Sequence, residues 1–151
     1  MGPGLRIRRL DPTLALPAYA HPGDAGLDLV AAHDAVVAPG GGRALVGTGI
    51  AIALPPGTAG FLLPRSGLAL RHGVTLANAP GLIDEGYRDE VRVALLNTDP
   101  SAPFTVTRGD RIAQLVVQRV ERVEVCEEDD ADDEVWAATH RGLGGFGSTG
   151  R

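Results

Sequence analysis

Asp84 is the side chain in this sequence best suited to activating a water. It lies in GLIDEGYRDEV (residues 81–91), a short stretch that also holds a phenol at Tyr87 and turn glycines at Gly81 and Gly86. A carboxylate at a turn can take a proton from an attacking water, and an open turn leaves backbone N–H and C=O groups to meet a ligand edge-on. The same residues also fit a solvated turn acid beside a core tyrosine. A second carboxylate, Asp28 in AGLDL (25–29), falls between Leu27 and Leu29, so on an extended chain it points away from both. Taken alone it is equally a strand-edge carboxylate.

Three further stretches carry groups suited to phosphate. In PRSGL (64–68), the Arg65 guanidinium, the Ser66 hydroxyl and the amides that open a short helix at Ser66 and Gly67 are anion donors. An Arg-Ser-Gly turn is otherwise commonplace. Gln114 is a polar amide inside the apolar run IAQLVV, so it needs a partner across a sheet or at a phosphate, although a packing role also suits it. The tail RGLGGFGSTG (141–150) sets Arg141, Ser148 and Thr149 among glycines that include Gly147. Each glycine costs a helix about 1 kcal/mol relative to alanine, so a mobile arm is expected here. A terminus without a task would look the same, except that Phe146 has nothing local to pack on; a planar ligand would give it a partner.

The elements that must position these groups read as strands. VTLANA (74–79) and VRVALL (91–96) flank the Asp84 stretch, which makes residues 81–89 the expected tip of a β-hairpin. LRIRRL (5–10) places Leu5 and Ile7 on one face of a first strand, and Pro12, Pro17 and Pro22 break the path after it. AGLDLVAA (25–32), VGTGIAIALPPG (46–57) and AGFLLP (59–64) continue the series. FTVTRGDRIAQLVVQRVERVEV (104–125) gives a turn at 108–110 and then a long β-rich run. Short strands punctuated by Gly and Pro define an all-β fold with one short helix, from Ser66. No internal repeat is evident.

Composition narrows the classes. A chain of 151 residues, 44% hydrophobic, is one domain with one core. No run approaches the ~20 apolar residues of a membrane span, and no basic segment followed by an apolar one opens the chain, so a cytoplasmic protein is expected. Cys126 is the only cysteine, which excludes an intramolecular disulfide and a cysteine zinc cluster and suggests a small core or edge residue. His21, His33, His72 and His140 have no partners at ligand spacing and are assigned structural or surface roles. Net charge is −5, against general binding to duplex nucleic acid. Seven of the 19 acids fall in EEDDADDE (127–134), so the rest carries 12 acids against 14 basic residues, all arginine. A mildly positive body with a solvated acidic linker suits a small polyanionic substrate, and guanidinium suits bidentate phosphate contacts.

AGLDL, PRSGL, GLIDEGYRDEV, GDRIAQL (109–115) and RGLGGFGSTG, in this order, resemble the five motifs of the trimeric deoxyuridine triphosphate nucleotidohydrolases (dUTPases). One departure stands out: Asp89 occupies a position usually held by glycine, where it either strains the hairpin tip or, with its side chain in solvent, merely adds charge. The resemblance implies a twisted β-sandwich of the jelly-roll or β-clip type over residues 1–126, an acidic linker over 127–140 and a flexible Gly-rich arm over 141–151. It implies hydrolysis of dUTP to dUMP and pyrophosphate, with Asp84 as general base and Asp28 holding waters of a bound Mg²⁺. Arg65, Ser66, Gly67 and Gln114 would face the phosphates, while Gly81, Leu82, Ile83 and Arg92 would frame uracil. Tyr87 would lie against the deoxyribose, and Asn78 would orient the hairpin or contact the base. Phe146 would close over the uracil while Arg141, Gly147, Ser148 and Thr149 wrap the phosphates. The family assembles as homotrimers with active sites between subunits. A dCTP deaminase would share the fold, but the arm with Phe146 points to hydrolysis. A catalytically idle nucleotide-binding regulator would not need Asp84, and a purely structural jelly-roll subunit would leave the arm unexplained.

Overall fold

The computed structural model describes residues 4–127. The chain divides into two units, Met1–Glu121 and Arg122–Arg151. Of the second, residues 122–127 are described; they form no strand or helix and are exposed, Cys126 included, so the expected core or edge place for that thiol does not hold.

Among the described residues the first unit has ten strands and one helix, all strand pairs antiparallel. One sheet runs β1 (Arg6–Arg9), β4 (Gly42–Ala53), β8 (Glu90–Asn97), β6 (Val74–Leu76). A second runs β2 (Leu27–Val30), β10 (Arg111–Arg119), β5 (Thr58–Leu63), β7 (Gly81–Ile83). A small pair joins β3 (Ala35–Val37) to β9 (Phe104–Val106). Alternation along the strands sorts side chains as period 2 requires: in β8, Val91, Val93 and Leu95 are buried while Arg92 is exposed. These residues share one core with Val46, Ile50 and Ile52 of β4 and with Leu29, Leu62, Ile83, Ile112 and Leu115 of the other sheet. The core is therefore the interior of a sandwich, as the all-β reading expects.

A buried amide pins the edge of this core. Asn97 is fully buried; its Nδ2 donates to the carbonyls of Val37 (3.1 Å) and Ala102 (2.9 Å), and its Oδ1 accepts the Asp99 N–H (3.0 Å). All its main needs are met, which removes the penalty of burying an amide and ties β8 to β3 and to the loop before β9.

α1 (Ser66–His72) starts where the sequence indicates and stops at Gly73, whose φ of 63° is left-handed and whose N–H caps Ala69 and Leu68 carbonyls. Two expectations are corrected. The β-rich run ends at Arg119 rather than 125, because Arg119 pairs with Thr58, the first residue of β5, and after one last bond from the Val120 N–H to the Gly57 carbonyl (3.1 Å) the partner chain turns at Gly57, whose φ is 72°. Residues 81–89 are not a simple hairpin tip. β6 and β8 do pair, and the Ala77 N–H donates to the Ala94 carbonyl (2.8 Å), but the chain then turns through the cis Ala79–Pro80 bond and crosses to the other sheet. There residues 81–83 add to β5 as β7, drawn by burial of Ile83 in the shared core.

The segment after β1 is stapled to the turn before β10. Asp11 Oδ1 accepts from the Thr13 hydroxyl (2.6 Å) and N–H (2.9 Å), and Oδ2 accepts from Arg108 (2.7 Å), whose own N–H donates to Asp34 (2.7 Å). Hydrogen bonds from Thr13 and then Arg108 hold the Asp11 carboxyl at about 2, against an ordinary 3.8. Amides of Ala102 and Ser101 lower Asp99 in the same direction. A folded-state pKa below the unfolded one contributes stability that is complete above the unfolded value and lost as pH falls toward the folded one. Between pH 5 and 2.5, Asp11→Asn should therefore lose less of its stability than the parent. Urea midpoints at the two pH values measure this, and an equal drop in both proteins would remove Asp11 from the acid response.

Candidate active site

Two clefts of similar size collect the candidate residues. The first, about 310 Å³, is lined by Asn78, Gly81, Leu82, Ile83, Asp84, Tyr87 and Arg92. It arises from the crossover. β7 is the edge strand of its sheet, so one side of Gly81–Ile83 pairs with β5 and the other keeps main-chain donors and acceptors available. β8 meets β6 only up to the Ala94–Ala77 rung, and its earlier residues Val91 and Arg92 face the cleft. Gly81 eases the close approach here, since a Cβ would sit 3.2 Å from both Asn78 Nδ2 and Leu62 Cβ and would push one of them aside by a few tenths of an ångström. The loop carrying Asp84 is braced at three points: the Tyr87 N–H donates to the Asp84 carbonyl (3.0 Å), the Gly57 N–H to Glu85 Oε2 (2.9 Å), and the Tyr87 hydroxyl to the Glu90 carbonyl (2.8 Å).

The second cleft, about 300 Å³, is lined by Asp28, Arg65, Ser66, Gly67, Gln114 and Arg111, together with His21, Asp24 and Gly26. Gln114 is the register partner of Asp28, which puts β10 and β2 side chains together. Its Nε2 donates to the Pro64 carbonyl (3.3 Å), fixing the strand end just before Arg65, and Gly26 leaves it room, since a Cβ there would come 2.8 Å from Gln114 Oε1. Arg65 Nε donates to Asp28 Oδ1 (3.2 Å) and its Nη1 to the Arg111 carbonyl (3.2 Å). The first rungs of α1 run from Leu68 and Ala69 to the Arg65 carbonyl, so the amides of Ser66 and Gly67 precede the ladder at the cleft wall.

Arg111 was not foreseen. Its Nη1 donates to Asp28 Oδ2 (3.2 Å), so two guanidinium groups share one carboxylate. Strict alternation puts residues 111 and 114 on opposite faces. A bulge between Arg111 and Ala113 adds one residue, buries Ile112 and Ala113 in succession and returns both polar side chains to one side. Only consecutive apolar residues in a strand hint at this. Leu45, Leu62 and Val91 of the first cleft carry no motif and were also missed; their places follow from the crossover.

The donor set bears on a metal. Among the described residues no three His, Cys, Asp or Glu side chains group as a metal cage. Asp24 and Asp28 are the carboxylates of the anion cleft, and both Asp28 oxygens are paired with Arg65 and Arg111, so contact through water suits Asp28 to Mg²⁺, which keeps most of its waters and takes its remaining ligands from substrate phosphates. Asp28 is the residue here that fits. Arg141, Phe146, Gly147, Ser148 and Thr149, the arm candidates, lie outside the described residues, as does His140.

The two clefts do not share a lining residue, and Asp84 and Arg65 lie far apart along β5. Ile83 pairs with Gly60, which sets Asp84 beside Ala59, whereas Arg65 follows the far end of β5. Six residues of extended chain separate those levels, about 20 Å at ~3.3 Å per residue. A catalytic base must come within about 3 Å of the proton it removes.

The geometry is that of an all-β sandwich with one polar cleft suited to an anion and one cleft at a strand edge. The dUTPase family model matches residues 13–150, and the chain belongs to that family. It is 64% identical over 146 residues to the deoxyuridine 5′-triphosphate nucleotidohydrolase of Thermobifida fusca, spanning 97% of this chain and 78% of that one. It is 57% identical over 150 residues to the protein of that description from Mycobacterium tuberculosis H37Rv, spanning 99% and 97%. In fold it is similar to the Staphylococcus bacteriophage 80alpha dUTPase solved with dUPNHPP, at TM-score 0.87 and 24% identity over 98% of this chain and 99% of that one. The dUTPase of S. aureus phage phi11, described with a structural Mg(II) ion, matches at TM-score 0.78 and 22% identity, covering 86% and 99%.

Proposed function

We propose that this chain hydrolyses dUTP to dUMP and pyrophosphate by attack of water on the α-phosphorus, as a cytoplasmic homotrimer. The observation that supports this most is the sorting of the motif residues into a strand-edge cleft with the lone carboxylate Asp84 and an anion cleft with Arg65, Ser66, Gly67 and Gln114. Asp84 orients the water and takes its proton. Arg65 and the amides at the start of α1 neutralise phosphate charge, which grows on the leaving pyrophosphate. Asp28 would hold Mg²⁺ through water, and the ion when bound would add charge stabilisation at the phosphates. The outer edge of β7 supplies donors and acceptors in fixed order for uracil; cytosine would leave some unpaired, which can discriminate by ~10⁴ to 10⁵. Tyr87, whose hydroxyl donates to the Glu90 carbonyl, is assigned to the deoxyribose, where it would crowd a 2′-hydroxyl.

The ~20 Å between Asp84 and Arg65 in one chain supports a site shared between subunits, with Asp84 from one copy and the anion cleft from another. The arm, residues 141–151, joined through the acidic linker, is assigned the closing role by Phe146 and the phosphate contacts by Arg141, Gly147, Ser148 and Thr149. The test is incubation of the pure protein with each deoxynucleoside triphosphate and Mg²⁺, then identification of the products. dUMP and pyrophosphate from dUTP alone are expected. A deaminated nucleotide from dCTP, or no product from dUTP, would overturn the reading.

A further inference from the structure

Asp89, which the motif resemblance sets where glycine is usual, is not idle. Its side chain is 72% exposed, as expected for a solvent position, yet both oxygens are engaged. Oδ1 accepts the Glu90 N–H at 2.7 Å, and Oδ2 lies 3.5 Å from Arg92 Nη2. The first bond fixes the plane of the carboxylate, which directs the second oxygen along the strand to the residue three positions on. Arg92 stands between buried Val91 and Val93, so its side chain projects from the open face into the lining of the Asp84 cleft. The neighbouring Glu90 carboxylate is committed elsewhere, accepting the Gly49 N–H at 2.9 Å in the β4 bulge. Among the described residues Asp89 is the carboxylate paired with Arg92.

We propose that Asp89 is a positioning residue that holds the Arg92 guanidinium at the mouth of the nucleotide cleft, a task glycine cannot perform. The inference rests on the reading of this cleft as the nucleoside site. Two effects oppose each other. The pair offsets some of the positive charge that attracts a polyanion, but it also orders a long side chain before the ligand arrives. Ordering dominates here, because an exposed pair is screened by water and the guanidinium fork keeps other N–H donors for the ligand.

The experiment is a double-mutant cycle on the full chain. Asp89→Gly and Asp89→Asn should raise the KM for dUTP and the Kd for dUpNHpp by roughly two- to fivefold, the range of exposed ion pairs. The kcat should not change, because Asp84 is braced by other bonds. Asp89→Asn keeps an acceptor for the Glu90 N–H, so it separates charge from turn geometry, and Asp89→Glu should recover part of the loss. In an Arg92→Ala background Asp89→Asn should have no further effect, and in 0.5 M salt the difference should shrink. An unchanged or lower KM, or the same loss with and without Arg92, would overturn the proposal. A parent protein that neither cleaves dUTP nor binds dUpNHpp would instead overturn the functional reading, which the same titrations reveal.

Discussion

Asp84→Asn should abolish most turnover and leave nucleotide affinity almost unchanged. Asparagine keeps the size and shape of the side chain but cannot accept the proton of the attacking water. Positioned general bases contribute ~10² to 10⁴ in rate, so kcat should fall by that range, or about 3–5 kcal/mol of activation free energy. The backbone that carries residue 84 does not depend on its carboxylate: buried Ile83 anchors one side, and the Tyr87 N–H bond to the residue 84 carbonyl and the Glu85 bond to Gly57 anchor the other. Folding and the Kd for dUpNHpp should therefore match the parent. Steady-state kinetics beside calorimetric binding decides the matter. Near-parental kcat would remove Asp84 from the mechanism, and a parallel rise in Kd would assign it to binding instead.

Most of the residues assigned to the site were legible in this sequence because they occur in short motifs whose residue types have little other use together; Asn78 and Arg92 lie just outside the motif around Asp84. Asp28, Arg65, Asn78, Asp84, Tyr87, Arg92 and Gln114 all line one of two clefts. The helix from Ser66 was legible for a local reason, a left-handed stop at Gly73. What was not legible depends on the third dimension. VTLANAPGLI reads as one strand and a turn, yet Leu76 and Ile83 serve different sheets, and nothing in the local pattern names the partner of residues 81–83. Arg111 required a bulge, which changes the face of every residue before it while leaving the sequence pattern almost intact. An exposed Asp89 was one of the two readings of that position, but its bond to Arg92 runs along the strand rather than across it, where period 2 gives no guidance.

Mixing two inactive chains should restore about a quarter of full activity, and this is the sharper test of how the site is assembled. One parent carries Asp84→Asn and keeps the anion cleft; the other carries Arg65→Ala and keeps Asp84. Losing the Arg65 donor removes charge stabilisation at the phosphates and should cost ~10²-fold or more, so neither parent turns over dUTP efficiently. Within one chain Asp84 and Arg65 lie at opposite ends of β5, about 20 Å apart, beyond what their side chains can span to one α-phosphorus. If the first cleft of one subunit faces the second cleft of another, a complete site needs Asp84 from one parent and Arg65 from the other. Random equal assembly meets each condition half the time, so about one site in four is complete. The parents are unfolded and refolded together so that subunits redistribute, and mass spectrometry of the intact oligomers confirms mixed assemblies. A site built within one chain gives no recovery, because no chain in the mixture holds both residues. Activity that stays at parental levels in proven mixed oligomers would therefore overturn the shared site, while leaving hydrolysis of dUTP by the parent protein intact as a separate result.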